Sequence, residues 1–258
     1  MSELAPSLRV YEYWLMQYRR VWRASVISTV INPVFYLGAL GVGLGTLVNR
    51  SGGRPLGVPY LDFVAPGMLM ATAMQIASVE ASWPVMASFR WTRQYFAMHA
   101  APLAVPAILF GHQLWMLTRV ASATAIYLIV VAAFGGINSW LAVFALPAAV
   151  LLGLAFTAPT AAYAATRDSE SAFVPYNRFV ILPMFLFSGT FFPVTRLPLP
   201  LEWLAYVTPL WHGVDLAREL TLGHVHLLRA LGHIAYLSLF AVVGLAWGRR
   251  TYARRLET

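Results

Sequence analysis

The chain consists mostly of long apolar runs separated by short polar or basic segments. Six of these runs are predicted to cross a membrane as helices, at about residues 25–48, 63–83, 111–134, 140–165, 179–192 and 230–247. The fifth run is the shortest, and it passes directly into a segment broken by glycine and proline. The pattern predicts an all-α integral membrane protein with one transmembrane domain spanning residues 1–258.

A different pattern precedes the first span, over residues 8–23. Apolar and aromatic side chains recur there three or four positions apart, at Tyr11, Trp14, Leu15, Tyr18 and Trp22. Arginines occupy the other face, at Arg9, Arg19, Arg20 and Arg23. This spacing predicts an amphipathic helix in the plane of the membrane interface. It could be a positively charged cytoplasmic anchor or a helix that moves with a partner.

The broken segment after the fifth span predicts a different kind of element. Gly189 interrupts the apolar run, Pro193 ends it, and a short amphipathic piece at residues 201–207 is closed by Pro209. Irregular backbone at membrane depth is tolerated only where protein or a water-lined cavity covers it. We therefore predict a re-entrant outer hairpin before the last span.

Composition supports a membrane protein. The chain is 59% hydrophobic and 11% charged, whereas a soluble domain carries about 25% charged residues. It contains no cysteine, so it can have neither a disulfide nor a cysteine metal site. The net charge of +8 is attributed to cytoplasmic loops, and no nucleic-acid partner is predicted.

The distribution of arginine predicts the orientation. With the N-terminus inside, twelve arginines face the cytoplasm: Arg9, Arg19, Arg20, Arg23, Arg90, Arg93, Arg167, Arg178, Arg249, Arg250, Arg254 and Arg255. Five lie outside: Arg50, Arg54, Arg196, Arg218 and Arg229. This excess predicts that both termini are cytoplasmic, which agrees with six spans.

Candidate chemistry within the membrane is sparse. Glu80 and Arg119 are the charges nearest to the bilayer interior, and we expect them to form an intramembrane ion pair. Substrate or gating contact and simple snorkelling to the interface are the alternatives. His224 and His226 form only a weak H-x-H pattern, and no metal site is predicted. His212 is expected to act as a hydrogen-bonded cap rather than as a catalytic residue. We predict no catalytic residue and no cofactor bound by this chain.

The run FLFSGTFFPVTRLP, followed by TPLWHGVDLAR, resembles a signature of the ABC type-2 export permeases. The segments FYLGALGVGLGTLV and YLDFVAPGMLMATAM also resemble the first two spans of that family, so the resemblance covers essentially the whole chain. The permeases of nodulation-factor (lipo-oligosaccharide) exporters and of related drug and glycan exporters are especially similar.

This resemblance implies a permease without ATPase activity. It implies pairing with a second permease, identical or paralogous, and docking of a separate ABC ATPase that binds ATP and Mg. The coupling contact would lie in the first cytoplasmic loop, at Phe89, Arg90, Trp91, Arg93, Tyr95 and Phe96. An interfacial gate helix would include Trp14, Tyr18, Arg19, Arg20 and Trp22. An outer re-entrant gate would include Ser188, Gly189, Phe191, Phe192, Pro193, Trp203 and Pro209.

The implied function is ATP-driven export across the bacterial plasma membrane. The substrate would be amphipathic, such as a lipo-oligosaccharide, a lipid-linked glycan or a hydrophobic drug, taken from the cytoplasm or the inner leaflet. An ion-coupled secondary transporter remains an alternative, although only the second half of the chain has a strongly broken segment. An intramembrane lipid-modifying enzyme also remains open, although the sequence shows no cluster of polar catalytic residues at one depth.

Overall fold

The computed structural model describes residues 4–20, 22–50, 55–101 and 103–257. Within these ranges the regular secondary structure is helical, and five helices are long and apolar enough to cross a membrane. These five candidate spans are Thr29–Arg50, Tyr60–Arg90, Val105–Ala133, Trp140–Ala164 and Leu227–Leu256. Arg54, which the orientation count placed outside, is not among the described residues. The chain is an all-α integral membrane protein.

The helices are numbered here in chain order. The first five are α1 (Leu4–Tyr18), α2 (residues 22–50, with a π-helical stretch at Leu37–Leu44), α3 (Tyr60–Arg90), α4 (Gln94–Ala100) and α5 (Val105–Ala133). The others are α6 (Ala145–Ala164), α7 (residues 173–187, with a π-helical turn at Asn177–Ile181), α8 (Leu199–Val207), α9 (Pro209–Leu222) and α10 (Leu227–Leu256). Short 3₁₀ turns occur at Pro55–Gly57, Trp140–Phe144, Glu170–Ala172 and Val194–Arg196.

Helix α6 lies at the centre of the bundle, packed against α3, α5, α9 and α10. Small residues allow these close approaches: Gly153 of α6 lies beneath Val120 of α5, and Gly213 of α9 lies beneath Leu152 of α6. At the periphery, only 22% of the apolar window of α2 and 28% of that of α10 are buried. These two helices therefore keep broad apolar faces for lipid or for a second chain.

The boundary between the interfacial helix and the first span lies earlier in the chain than the sequence predicted. Helix α1 begins at Leu4 and ends at Tyr18, so it does not extend to residue 23. Arg19 and Arg20 lie in the turn that follows, and Trp22 already belongs to α2. The chain changes direction at this turn, leaving α1 packed along α5 before it enters the first span.

Helix α3 is longer than the second predicted span. The sequence predicted an end at about residue 83 because Pro84 follows, but the helix continues to Arg90. Val85, Met86 and Phe89 extend its buried face into a hydrophobic cluster, and this packing outweighs the hydrogen bond lost at the proline. The loop helix consequently begins only at Gln94, so Phe89 and Arg90 of the predicted coupling contact belong to α3.

The ends of α6 and α10 lie side by side. Arg255 Nη1 near the end of α10 donates to the carbonyl oxygens of Ala165 and Arg167, just after α6, and the Arg167 contact is 3.0 Å. The chain between them must therefore return to the opposite end of the bundle before α10 begins. Helix α7 starts earlier than predicted, at Phe173, and ends at Phe187. Its helical length is about 22 Å, so the six-span count stays a prediction.

One glycine in α10 determines how closely that helix approaches α6. A Cβ at Gly244 would lie 2.6 Å from both the backbone nitrogen and Cδ of Pro159, whereas a Cβ at Gly232 would meet nothing within 4 Å. We expect Gly244→Ala to lower the free energy of unfolding by about 1–3 kcal/mol through overpacking. Gly232→Ala, on the same helix, should leave it unchanged or slightly raise it. Thermal unfolding of both variants in the same detergent checks this, and equal effects would contradict it.

Candidate coupling and gating sites

The loop helix α4 is anchored to the bundle through Tyr95, whose side chain is fully buried. Its hydroxyl forms a hydrogen bond with Nδ1 of His112 on α5. Burial raises the pKa of Tyr95 well above its usual value, so the phenol stays protonated. The ring packs against Phe89 of α3 and Tyr252 of α10, with centroid distances of 4.8 and 5.5 Å. One side chain of α4 thus connects three other helices.

The interfacial helix α1 joins the same junction. The Trp14 indole stacks on the His112 ring, with centroids 3.9 Å apart and planes 4° apart. The Tyr13 hydroxyl donates to Oε1 of Gln94 at the start of α4, at 2.7 Å. Side chains from α1 and α4 therefore hold the same imidazole from two sides. A displacement of α4 is expected to reach α1 through this contact.

The six predicted coupling residues fall on both sides of this junction. Phe89 and Tyr95 are buried within the chain, so neither is available to contact another subunit. Arg90, Trp91 and Arg93 are exposed at the end of α3 and in the turn before α4, and Phe96 is half-buried. Arg93 has a φ of 51°, the only positive value at a non-glycine residue in the described ranges. Such strain in an exposed turn is typical of functional positions.

The intramembrane charges lie together. Arg119 Nε donates to Glu80 Oε1 at 3.1 Å, which joins α5 to α3. Arg119 Nη1 also donates to the Tyr18 hydroxyl at 2.8 Å, and the guanidinium lies 4.5 Å from the centre of the Tyr18 ring. The last residue of α1 is thereby connected to an ion pair between two spans. Of the other predicted gate-helix residues, Trp14 is buried at the junction, whereas Arg19, Arg20 and Trp22 are exposed.

Helices α8 and α9 form a hairpin whose turn lies beside α10. The Tyr236 hydroxyl, on the third turn of α10, donates to the carbonyl oxygen of Val207. The other end of α9 lies beside the α5–α6 connection, where Asn138 N donates to Thr221 O at 3.2 Å. The turn between α8 and α9 is therefore about 14 Å along α10 from Leu227, the first residue of that helix. The re-entrant hairpin itself stays a prediction.

A hydrogen bond links the end of α7 to this hairpin turn. Thr208 Oγ1 caps α9 by accepting from Trp211 N and donates to Ala205 O, so the Ser188 hydroxyl acts as the donor in their 2.8 Å contact. The next residue, Gly189, has a φ of +79°, a conformation that favours glycine. Ser188 and Gly189 are the first two residues of the predicted outer gate. They therefore set the position of the segment after α7 relative to α9.

The remaining residues of the predicted outer gate are spread over the same region. Phe191, Phe192 and Pro193 are half-buried, and Phe191 O accepts a hydrogen bond from the Tyr60 hydroxyl at 3.2 Å. Pro209 is buried at the start of α9, and Trp203 of α8 is 69% exposed. The structure therefore brings most of the predicted residues together, with Trp203 on the outside of the hairpin.

Sequence reasoning placed Arg218 among the outer arginines, but its side chain is buried on α9. One of its terminal nitrogens, Nη2, donates to Gly189 O at 2.8 Å and to Phe63 O at 3.3 Å. Its guanidinium carbon lies 3.9 Å from the Phe63 ring centroid. Burial lowers the pKa of Arg218 to about 10, so the group remains charged at neutral pH. A buried cation thus holds α9, α3 and the turn after α7 together.

His212 lies in the second turn of α9 and does not cap the helix, contrary to the prediction. Its Nδ1 is 2.8 Å from Nδ1 of His233 on α10, and His233 Nε2 donates to Asp215 Oδ2 at 3.2 Å. Burial, reinforced by His233, lowers the pKa of His212 to about 4, so this ring is neutral at neutral pH. The cluster is a second polar connection between α9 and α10. In the described part of the chain, no group of three or more potential ligands is placed to hold a metal ion.

Comparison with known proteins identifies the family. Residues 10–222 match the family model described as "ABC-2 type transporter". The chain belongs to the ABC-2 type transporter family. It is 34% identical to Nodulation protein J of Rhizobium leguminosarum bv. viciae over 251 residues, covering 94% of this chain and 95% of the relative. It is 33% identical to Nodulation protein J of Rhizobium meliloti over 255 residues, covering 94% of each.

Family membership defines the general role of the chain. This ABC-2 family member is a multi-pass membrane permease of an ABC exporter, and thus a transport subunit rather than an enzyme. The family also implies partnership with an ABC ATPase subunit. The coupling junction, the ion pair and the outer hairpin can therefore be considered as parts of one transport subunit.

Proposed function

We propose that this chain is the membrane subunit of an ATP-driven exporter that moves an amphipathic substrate out of the cytoplasm or the inner leaflet. The substrate class is a lipo-oligosaccharide, a lipid-linked glycan or a hydrophobic drug. Two permease copies, identical or paralogous, pair in the bacterial plasma membrane with lipid around them and both termini in the cytoplasm. ATP and Mg bind to separate ATPase subunits, and this chain binds no cofactor of its own.

The exposed surface beside α4 is the observation that supports this proposal most directly. Tyr95 anchors α4 in the bundle, whereas Arg90 at the end of α3 and Trp91 and Arg93 in the turn before α4 are exposed. Arginine and tryptophan are enriched at the energetically important positions of protein interfaces. We propose that the ATPase docks on this exposed surface. Movement of the ATPase would then reach α1 through His112 and α10 through Tyr252.

At the other end of the helical bundle, the α8–α9 hairpin would serve as the outer gate. Polar connections join it to α3, to α10 and to the turn after α7. We propose that it is re-entrant and that substrate leaves beside it. ATP supplies the driving force through the ABC ATPase partner that the family implies.

Co-purification tests the docking surface. We expect the ATPase encoded beside this permease to remain bound to the wild-type chain, and we expect Arg90→Glu/Arg93→Glu to weaken its binding tenfold or more, as for typical interface anchors (roughly 2 kcal/mol). The matched control is Arg249→Glu/Arg250→Glu, which makes the same charge change at exposed positions on α10. Equal loss in both variants would indicate general electrostatic attraction and would contradict docking on α4. Absence of any ATPase from the intact wild-type permease would contradict the exporter itself.

A further inference from the structure

A cleft of about 270 Å³, lined by both polar and apolar side chains, opens between α2, α3 and α5. Its polar lining includes Asn32, Tyr36, Gln75, Glu80 and Arg119. Asn32, Tyr36 and Gln75 are exposed, and the side chains of Glu80 and Arg119 are 21% and 14% exposed. Exposed amides and a carboxylate on membrane-spanning helices are costly in hydrocarbon. Their convergence favours a polar group in one part of the cleft, beside an apolar part formed by Pro33, Ile76 and Val79.

The cleft occupies a defined depth in the bundle. Gln75 lies near the middle of α3, and Glu80 is more than one helical turn closer to the end where α1 and α4 pack. Asn32 lies about 15 Å from the start of α2, counted from the same end of the bundle. The cleft therefore extends from the middle of the membrane towards the leaflet beside α1. A molecule inserted in that leaflet could place its headgroup in the cleft and leave its tail in lipid.

The charges of the lining restrict the chemistry of such a headgroup. Glu80 and Arg119 neutralise each other, and Arg119 is also held by Tyr18, so the site offers no excess charge to attract an anion or a cation. The amides of Asn32 and Gln75 and the phenol of Tyr36 supply both hydrogen-bond donors and acceptors. Hydroxyl groups, which both donate and accept, complement such a lining.

We propose that this cleft binds the neutral, hydroxyl-rich headgroup, a sugar or another polyol, of an amphipathic molecule. This inference rests on the proposed function, because it assigns the site at which the exported substrate is first held. Arg119 also connects the cleft to the last residue of α1, so a headgroup that competes for Glu80 or Arg119 would alter the contact that holds the interfacial helix. The other possible occupants, a phospholipid headgroup or a second copy of the chain, are distinguished by the experiment below.

The absence of native cysteine permits a direct test. Val79→Cys places the only thiol in the cleft, and Val243→Cys places it on the exposed face of α10; the two valines are 60% and 58% exposed. Each permease is reconstituted in phosphatidylcholine nanodiscs, and the rate of thiol labelling by N-ethylmaleimide is measured. The probes are dodecyl maltoside and dodecylphosphocholine, which share one alkyl chain and differ in the headgroup.

We expect the cleft thiol to react faster than the control thiol, because water reaches it. Dodecyl maltoside at about ten times its dissociation constant should slow labelling of Val79→Cys roughly tenfold and leave Val243→Cys unchanged. Asn32→Leu and Gln75→Leu, both at exposed positions, remove hydrogen bonds to the headgroup. Adding them should raise the dodecyl maltoside concentration needed for the same protection of Val79→Cys roughly tenfold.

Three results would overturn the proposal. Equal protection by dodecylphosphocholine would show that the alkyl chain or a lipid headgroup fills the cleft. Protection that the Leu substitutions do not change would place the maltoside elsewhere. Labelling of Val79→Cys no faster than that of Val243→Cys, without any probe, would show that a second copy or lipid already closes the cleft. The test uses the permease without its ATPase, so failure here leaves the proposed exporter to be judged by co-purification alone.

Discussion

Tyr95→Ala should separate ATPase binding from the movement that binding is proposed to drive. The substitution removes a fully buried aromatic ring and its hydrogen bond to His112. For large aromatic side chains such a change lowers the free energy of unfolding by about 3–5 kcal/mol. The exposed Arg90 at the end of α3 and Arg93 in the turn before α4 are unchanged. We therefore expect the ATPase to bind the variant and to hydrolyse ATP while the bundle no longer responds to it.

A reporter on the outer hairpin measures that response. Trp203 is 69% exposed on α8, so Trp203→Cys provides the permease's only thiol for a membrane-impermeant maleimide. When Tyr95 is native, ATP and vanadate should change the rate at which the Trp203→Cys thiol is labelled. When Tyr95→Ala is added, this labelling rate should be the same with and without nucleotide. Tyr95→Phe, which keeps the ring contacts to Phe89 and Tyr252, should retain most of the response. A normal response in Tyr95→Ala would show that coupling does not pass through this junction.

The sequence predicts the class of fold well because hydropathy alone decides it. Apolar runs located the long spans, and the spacing of Tyr11, Trp14 and Tyr18 identified a separate amphipathic helix. The errors lie at boundaries where tertiary packing overrides a local signal. Pro84 is usually a helix breaker, yet α3 passes through it because Phe89 is buried against Tyr95 and Tyr252. No property of the local sequence around Pro84 indicates that contact.

Candidate functional residues are predicted unevenly for a similar reason. Glu80 and Arg119 are recognisable because charges are rare within spans, and the structure places them in contact. Arg218 and His212 lie in a segment that already contains polar residues, so neither was distinguishable from a surface residue. Their roles depend on Phe63, Gly189 and His233, which are distant in sequence.

Rings and hydrogen bonds join the helices at both ends of the molecule. At the end with α1 and α4, the Trp14 indole stacks on the His112 ring, and Tyr95 packs against both His112 and Tyr252, so four helices meet. At the hairpin, the His212 ring stacks on Tyr236 of α10, with centroids 3.8 Å apart, and hydrogen bonds connect α9 to α3, to α10 and to the turn after α7. Directed hydrogen bonds can be broken and remade, so these are the contacts that an opening hairpin would have to exchange.

Arg218→Leu should release the outer hairpin from the bundle. It would leave Gly189 O without its 2.8 Å donor and would remove the cation over the Phe63 ring. A buried acceptor without a partner costs about 1–3 kcal/mol, and the lost ring contact adds up to about 2 kcal/mol. Removal of a buried charge offsets part of this, so we expect a net loss of roughly 2–3 kcal/mol in the free energy of unfolding. Thermal and denaturant unfolding of the purified permease measure it.

Arg229→Leu is the matched control, because Arg229 is 59% exposed and pairs with Glu219 at 3.3 Å. Arg229 is exposed, and the buried Glu219 keeps its 3.2 Å hydrogen bond from His226 N in this variant, so the control should lose less stability than Arg218→Leu. Arg218→Lys should fall between the two, because an ammonium keeps the charge but lacks the planar guanidinium that lies over the Phe63 ring. In Arg218→Leu, a thiol at Trp203→Cys should also label at one rate whether or not nucleotide is present. Equal stability of the two leucine variants would show that Gly189 O finds another donor and that Arg218 does not hold the hairpin.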